Sequence, residues 1–401
     1  MATNGFFEQA RQTYDTANAS CLNWMLDRPA LKGVFLNTKV NSITGLNYTD
    51  ADGRRGPDWL YGWIQGRGLE ALCAHSVYFQ TQFPGLGLRL NQRAQALYKA
   101  IGHLVEKTGH AYFCYDKNMQ PAWSNDKVHV SPDPSIYTYS DAFCAKGLVA
   151  AAAQHDVGNL SHHLSYLARV IQSVEDGFFQ MDETAPSHPS NLLNQKRSFG
   201  PYMILLGAAG LLKNVGHSTE ADFAYRFIDI VLKRHLDLES YLLCDVEKED
   251  ECNPGHAIEF VGFALEFLPH DADPALVKTL EKILLNSFEK GFKKPGICLS
   301  LSIQTGFSLS PNCPWWSLPE TIRATALLYE RTQSSKVLEV WKTAHQAFFE
   351  LYWQQPKSMA YQTMTSQGPV DFVPATPDLD PGYHTGLSLL CASKVAAQLS
   401  M

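Results

Sequence analysis

The chain has no long hydrophobic run. Its longest apolar stretch free of charge, about Tyr202–Leu212, falls well short of the roughly 20 residues that cross a bilayer as a helix, so no membrane partner is expected. Charge is also scarce. Asp, Glu, Lys and Arg make up 18% of the 401 residues against 45% apolar, a balance that excludes a disordered chain and allows a large core. The 33 basic residues are outnumbered by 40 acidic ones, for a net charge of -7. Without a basic excess there is no field to hold a phosphate backbone, and no nucleic-acid partner is expected. The nine cysteines are odd in number and no two are spaced as CxxC. That excludes a zinc knuckle and a disulfide framework, leaving buried thiols in a reducing compartment. The N-terminus carries no basic-then-apolar leader, so a cytoplasmic location is expected. No linker rich in Gly, Ser or Pro divides the chain, and one domain over 1–401 is expected.

Helical periodicity is what the chain has in plenty. The apolar spacing predicts twelve helices, over 5–25, 59–82, 89–108, 140–154, 157–173, 201–214, 218–236, 255–268, 273–290, 315–331, 335–353 and 384–398. Capping residues or prolines mark several starts, among them Pro57-Asp58, Ser140-Asp141, Asp273-Pro274 and Ser334-Ser335. Connections alternate between short turns and longer segments with a β-like run: Gly33–Leu36, Ala111–Asp116, Gly177–Asp182, Tyr241–Asp245, Gly296–Ser300 and Met359–Thr363. The repeating unit is therefore helix, β hairpin, helix, short turn, six times over. Six antiparallel pairs predict an all-α (α/α)6 barrel, even-numbered helices inside, with the hairpins at the end where the inner helices begin. An open solenoid or a plain bundle is the alternative.

Chemistry-bearing residues gather at those inner starts. Asn253-Pro254-Gly255-His256-Ala257-Ile258-Glu259 and Gly382-Tyr383-His384 each place a histidine just past a break and at the mouth of a helix. Two imidazoles suit removal and return of a proton beside a carbonyl, since each can accept and donate near neutral pH. His256 and Glu259 are three apart and share a helical face, which suits a carboxylate orienting a ring. Arg67 sits in Trp63-Ile64-Gln65-Gly66-Arg67, where a guanidinium can hold a developing oxyanion or can pair with Glu70 or Asp58. Asp141 opens the fourth helix, Tyr202 the sixth, and Trp315, Trp316 and Glu320 the tenth. Trp59, Trp63, Trp315 and Trp316 are either stacking platforms for a sugar or barrel core. His155, His162 and His163 are expected at the surface. No third ligand at a recognisable spacing joins His256 and Glu259, so no metal is expected.

Together the NPGHAIE segment, Trp63–Arg67, Pro314-Trp315-Trp316 with Glu320, and Gly382-Tyr383-His384 resemble the N-acylglucosamine 2-epimerase superfamily of sugar 2-epimerases and aldose–ketose isomerases, over almost the whole chain. The resemblance implies an (α/α)6 barrel that needs no cofactor. It implies His256 and His384 as the acid/base pair, Arg67 and Glu259 at the reacting end of the sugar, and Glu320 touching substrate or orienting a histidine. One stretch departs. The family usually opens the sixth helix with Asn-Pro-His-Met-His followed by a glutamate, whereas this chain has Gly200-Pro201-Tyr202-Met203-Ile204-Leu205-Leu206-Gly207.

The expected function is an isomerase acting on a small reducing sugar through an enediolate, with His256, His384, Glu259 and Arg67 catalytic and Trp63, Tyr202, Trp315, Trp316, Glu320 and Asp141 binding substrate. Two other classes stay open. A glycoside hydrolase or lyase would use two carboxylates drawn from Asp141, Glu320 and Glu259, about 6.5–9.5 Å apart in an inverting enzyme. A sugar-binding protein without turnover would fit the missing histidines. A monomer or a homodimer is expected, with Phe223, Phe227 and Ile230 as core or interface.

Overall fold

Among the described residues, twelve long helices form where the apolar spacing places them. A computed structural model describes residues 2–122, 133–372 and 375–400. The helices are α1 (Ala2–Asp27), α2 (Gly62–Gln82), α3 (Pro84–Thr108), α4 (Tyr139–His155), α5 (Leu160–Asp176), α6 (Gly200–Asn214), α7 (Phe223–Arg234), α8 (Pro254–Phe267), α9 (Pro274–Gly291), α10 (Ser317–Thr332), α11 (Ser335–Ala347) and α12 (Ser388–Leu399). Local chemistry sets their ends. Proline occupies the first turn of α3, α6, α8 and α9, where its missing N–H costs nothing. Asn253 and Asp273 cap α8 and α9 through their side chains. Gly109 and Gly177, both with left-handed φ, stop α3 and α5. A π-helical turn, Tyr383–Leu387, leads into α12, and a short helix, Pro189–Leu193, lies in the third long connection. The latter has no apolar period to announce it.

The even-numbered helices pack side by side in the order α2, α4, α6, α8, α10, α12, and the π turn before α12 returns to α2. The odd-numbered helices lie outside: α3 on α2, α5 on α4, α7 on α6, α9 on α8, α11 on α10 and α1 on α12. The fold is the (α/α)6 barrel. Burial follows this division. Every residue from Ser140 to Ala152 in α4 is buried, whereas α5 and α7 bury one stripe each. Phe223 and Phe227 of α7 belong to that stripe and so to the core. α2 and α4 approach closely because glycines face each other: a Cβ at Gly147 would lie 2.6 Å from the carbonyl of Gly66.

The long connections depart from simple hairpins. Internal pairs do occur, such as Phe292–Lys293 with Gly296–Ile297 and Trp353–Gln354 with Met359–Ala360. Other ladders run between successive connections. Leu60–Tyr61 pairs with Cys114–Tyr115, Tyr137–Thr138 with Phe179–Gln180 (in parallel), Glu251–Cys252 with Leu301–Ser302, and Cys313–Pro314 with Thr363–Met364. A single bridge, Ser198 with Val246, links the third connection to the fourth. The sixth returns to the first through Leu379 N–H to Thr38 O (3.1 Å) and the buried Lys39–Asp378 ion pair (2.7 Å). The connections thus form a continuous collar around the mouth of the barrel. The run Tyr241–Asp245 makes no ladder, because Tyr241 takes a left-handed φ of 56° and only Leu243 bridges back to Leu236. His163, expected at the surface, is buried and bonded to the Tyr98 hydroxyl at 2.9 Å.

Candidate active site

Inside the collar the inner helices enclose a cavity of about 260 Å³. Trp63 and Arg67 from α2, His256 and Glu259 from α8, Trp315 and Trp316 before α10, and His384 from the π turn all line it. The turn that carries His384 is held by Asp380, whose carboxylate accepts the backbone N–H groups of Tyr383, His384 and Thr385 at 2.9, 3.2 and 2.8 Å. Gly382 enters that turn with φ 84°, a conformation that favours glycine.

His384 is buried. Its Nδ1 lies 3.0 Å from Glu320 Oε1 and 3.7 Å from Glu259 Oε1. Burial, reinforced by the Arg67 guanidinium, holds its pKa down to about 4, so the ring is neutral at pH 7. Glu320 is fully buried, and that desolvation raises its carboxyl to about 7 against the opposing pull of Arg323. Arg323 Nη1 sits 3.3 Å from Glu320 Oε2. Glu259 is raised too, first by burial and then by the charge of Glu320. Glu259, Glu320 and His384 offer ligand atoms within 4.8 Å of one another, a spacing a cation can bridge; Arg323 already supplies positive charge to this cluster.

His256 differs in its surroundings. Its side chain is one-third exposed and its Nδ1 is 3.6 Å from Asp245 Oδ1. Burial would lower its pKa, but Asp245 and then Glu259 outweigh that and leave it above the ordinary value. The expected partnership of His256 with Glu259 is therefore corrected: the carboxylate beside His256 Nδ1 is Asp245, and Glu259 lies nearest His384. His256 stacks on Trp316 with centroids 5.0 Å apart, and Trp316 lies 5.8 Å from His384. The two imidazoles thus flank one indole.

Arg67 makes neither suggested ion pair. Glu70 pairs with Lys146 at 3.2 Å and Asp58 with Lys32 at 3.5 Å. The guanidinium instead lies over Phe143 (4.0 Å), Trp63 (5.0 Å) and Tyr383 (5.3 Å), with Nε unpartnered and buried. Such a cation has donors to spare for an oxyanion. The Trp63 indole N–H donates to Glu183, which also accepts the Ser140 N–H at 3.1 Å.

Three expected binding residues do not line the cavity: Glu320, fully buried and bonded to the His384 ring, and Asp141 and Tyr202. Asp141 is spent on structure. It accepts N–H groups from Ala111 and Thr138 at 2.9 Å each and the Tyr166 hydroxyl at 2.5 Å, and it faces His110 at 3.2 Å. It caps α4 and does not line the cavity. Tyr202 packs edge-on against Phe227, centroids 5.0 Å apart, and points away; Met203 and Ile204 line the cavity in its place. Trp59 stacks with Arg54 outside the cavity. Residues that sequence reasoning missed are Asp245, Glu183, Asp380 and the buried Lys146, whose ammonium donates to Tyr383 Oη at 2.6 Å. Burial of Lys146 in the middle of an apolar helix was the one signal available.

The profile of the N-acylglucosamine 2-epimerase (GlcNAc 2-epimerase) family matches residues 133–385, more than half of the chain. The chain belongs to that family. Its barrel is similar to solved structures at low identity. A cellobiose 2-epimerase from Spirochaeta thermophila aligns with TM-score 0.72 at 12% identity, covering 98% of each chain. A D-mannose isomerase gives 0.72 at 12%, covering 96% of this chain and 97% of its own. A cellobiose 2-epimerase from Bacillus thermoamylovorans gives 0.65 at 17%, covering 84% and 88%. None of the curated protein sequences matches. Family membership makes this a protein of the sugar epimerase and isomerase class, and among the described residues no helix is long and apolar enough to cross a membrane.

Proposed function

We propose that this member of the family interconverts small reducing sugars by moving one proton at C2, with no cofactor. His384 is the base and His256 the acid. The sugar opens to its aldehyde in the cavity, and His384 takes the C2 proton. The electron pair moves through C1–C2 onto O1, where Arg67 meets the negative charge. His256 then returns a proton to the opposite face of C2 and yields the epimer; return to C1, with the O2 proton passing to O1, yields the ketose. Glu259 and Glu320 hold the ring of His384 and balance its charge once it is protonated. Trp63, Trp315 and Trp316 supply apolar faces for the sugar.

The observation that carries this reading is the electrical asymmetry of the two histidines around one cavity. His384 is held neutral, as a proton acceptor must be, and His256 is held toward its protonated form by Asp245. A hydrolase is disfavoured because Asp141 is committed to capping α4, while Glu259 and Glu320 share the ring of His384. The test is proton NMR in D₂O with mannose, glucose, fructose, N-acetylglucosamine and cellobiose. Deuterium at C2, with an epimer or ketose growing in, is the expected result. Glycosidic cleavage without exchange at C2 would overturn the proposal.

A further inference from the structure

The cavity is two-sided. α2, α8 and the π turn present Arg67, Glu259, His256 and His384, whereas α6 presents Met203 and Ile204; Phe143 of α4 lies between the two sides, under the Arg67 guanidinium at 4.0 Å. Phe143, Met203 and Ile204 are buried, and none carries a hydrogen-bond donor or a strong acceptor, the Met203 thioether being only a weak one. The Tyr139 hydroxyl lies at the rim, since Tyr139 opens α4 and a Cβ at Gly200, which opens α6, would meet that oxygen at 2.6 Å. The order of the inner ring sets α4 and α6 across from α10 and α12, hence across from Trp316 and His384.

A sugar hydroxyl pressed against Phe143, Met203 and Ile204 would shed its water and find no partner there. An unsatisfied buried hydroxyl weakens binding about 5- to 140-fold. A methyl group in the same place would gain contact with all three side chains. We infer that the substrate is a reducing sugar whose end remote from C1 and C2 is apolar: a 6-deoxysugar, carrying a methyl where a hexose carries a hydroxymethyl. This rests on the proton transfer proposed above, which sets C1 and C2 beside His384, His256 and Arg67 and so turns the far end toward Met203 and Ile204 of α6.

The experiment uses the full chain and matched pairs: mannose with 6-deoxymannose, galactose with 6-deoxygalactose, and glucose with 6-deoxyglucose. C2 exchange in D₂O gives kcat/KM for each sugar, and calorimetric titration gives Kd whether or not turnover occurs. In at least one pair the deoxy member is expected to be preferred about tenfold or more in both measures. Ile204→Thr, which sets a hydroxyl in the wall, is expected to shrink that ratio at least threefold, and Ile204→Val, its apolar counterpart of equal shape, to preserve it. Equal or better handling of the parent hexose in every pair would overturn the inference while leaving the epimerase reading intact. So would a ratio indifferent to Ile204→Thr, or no binding of any deoxy member. Tight, Ile204-dependent binding of a deoxysugar with no exchange at C2 would do the reverse: the apolar wall would stand and the proton-transfer reading would fall.

Discussion

At the scale of single residues, the pair His384–Glu320 governs the expected pH response. For His384 to accept a proton at Nε2, its Nδ1 must carry hydrogen and donate to Glu320, which must then be ionised. Burial lifts the Glu320 carboxyl to about 7. Below that pH a protonated Glu320 no longer supports the imidazole, and the rate falls; above it the carboxylate forms and the rate rises. The acid limb of kcat/KM is therefore expected near pH 7, not near the value of about 4 that His384 itself would give. Glu320→Gln removes the ionisation, so its profile should lose that limb and stay low and flat around neutrality. A limb unchanged in Glu320→Gln, measured by C2 exchange across pH 5–9, would contradict this role. His384→Ala should lower kcat about 10²–10⁴-fold, the usual range for a general base, without loss of fold as judged by circular dichroism. The histidines were legible because they stand just past breaks at helix mouths, and Arg67 because it is a cation in an apolar and aromatic helix. Glu320 was legible as a candidate, but its tie to His384 spans 64 positions and no local spacing reveals it.

At the scale of elements, the decisive piece is the turn that presents His384. Successive residues of a helix point about 100° apart, so one position decides whether a side chain faces the cavity or its neighbour. That is why Tyr202 could be placed at the start of α6 from sequence yet turn out to face Phe227 while Ile204 faces the cavity. The π turn Tyr383–Leu387 shifts the register in the same way and aims His384 inward. Asp380 holds the turn by accepting three N–H groups that would otherwise be unpaired. Asp380→Ala should cost about 1–2 kcal/mol of stability, as loss of a helix-capping acceptor does, and should reduce kcat at least tenfold with little change in KM, because His384 loses its aim while the stacking tryptophans remain. Thermal unfolding alongside exchange kinetics separates the two; a stability loss with kcat per folded molecule unaltered would show that the cap serves folding alone. Helix positions were legible in advance because proline and capping residues mark their starts. Four of the six β-like runs hold a strand, Cys114–Tyr115, Phe179–Gln180, Gly296–Ile297 and Met359–Ala360, but the ladders between connections were not legible, since their strands are short and pair with partners 40 or more positions away.

At the scale of the whole molecule, closure of the ring and closure of the collar make every helix pair depend on both neighbours. We therefore expect residues 1–401 to unfold as one unit. The last seam is the most telling, because it joins the sixth connection to the first across 339 positions through Lys39 and Asp378, both almost wholly buried. Burial pushes the Asp378 carboxyl upward while Lys39 and Thr38 hold it down, so the charged pair persists only with both partners present. Removing one strands the other, which typically costs about 3–5 kcal/mol, whereas replacing both with apolar groups of similar volume is often close to neutral. Lys39→Met alone should accordingly be destabilised by about that amount, and Lys39→Met with Asp378→Leu should recover most of it. If the barrel is one cooperative body, urea unfolding of Lys39→Met followed by tryptophan fluorescence and by far-ultraviolet circular dichroism should give superimposable curves shifted together to lower denaturant. Should fluorescence from the mouth tryptophans fall first while helicity persists, the collar would be a separately melting layer laid over a barrel that is stable without it.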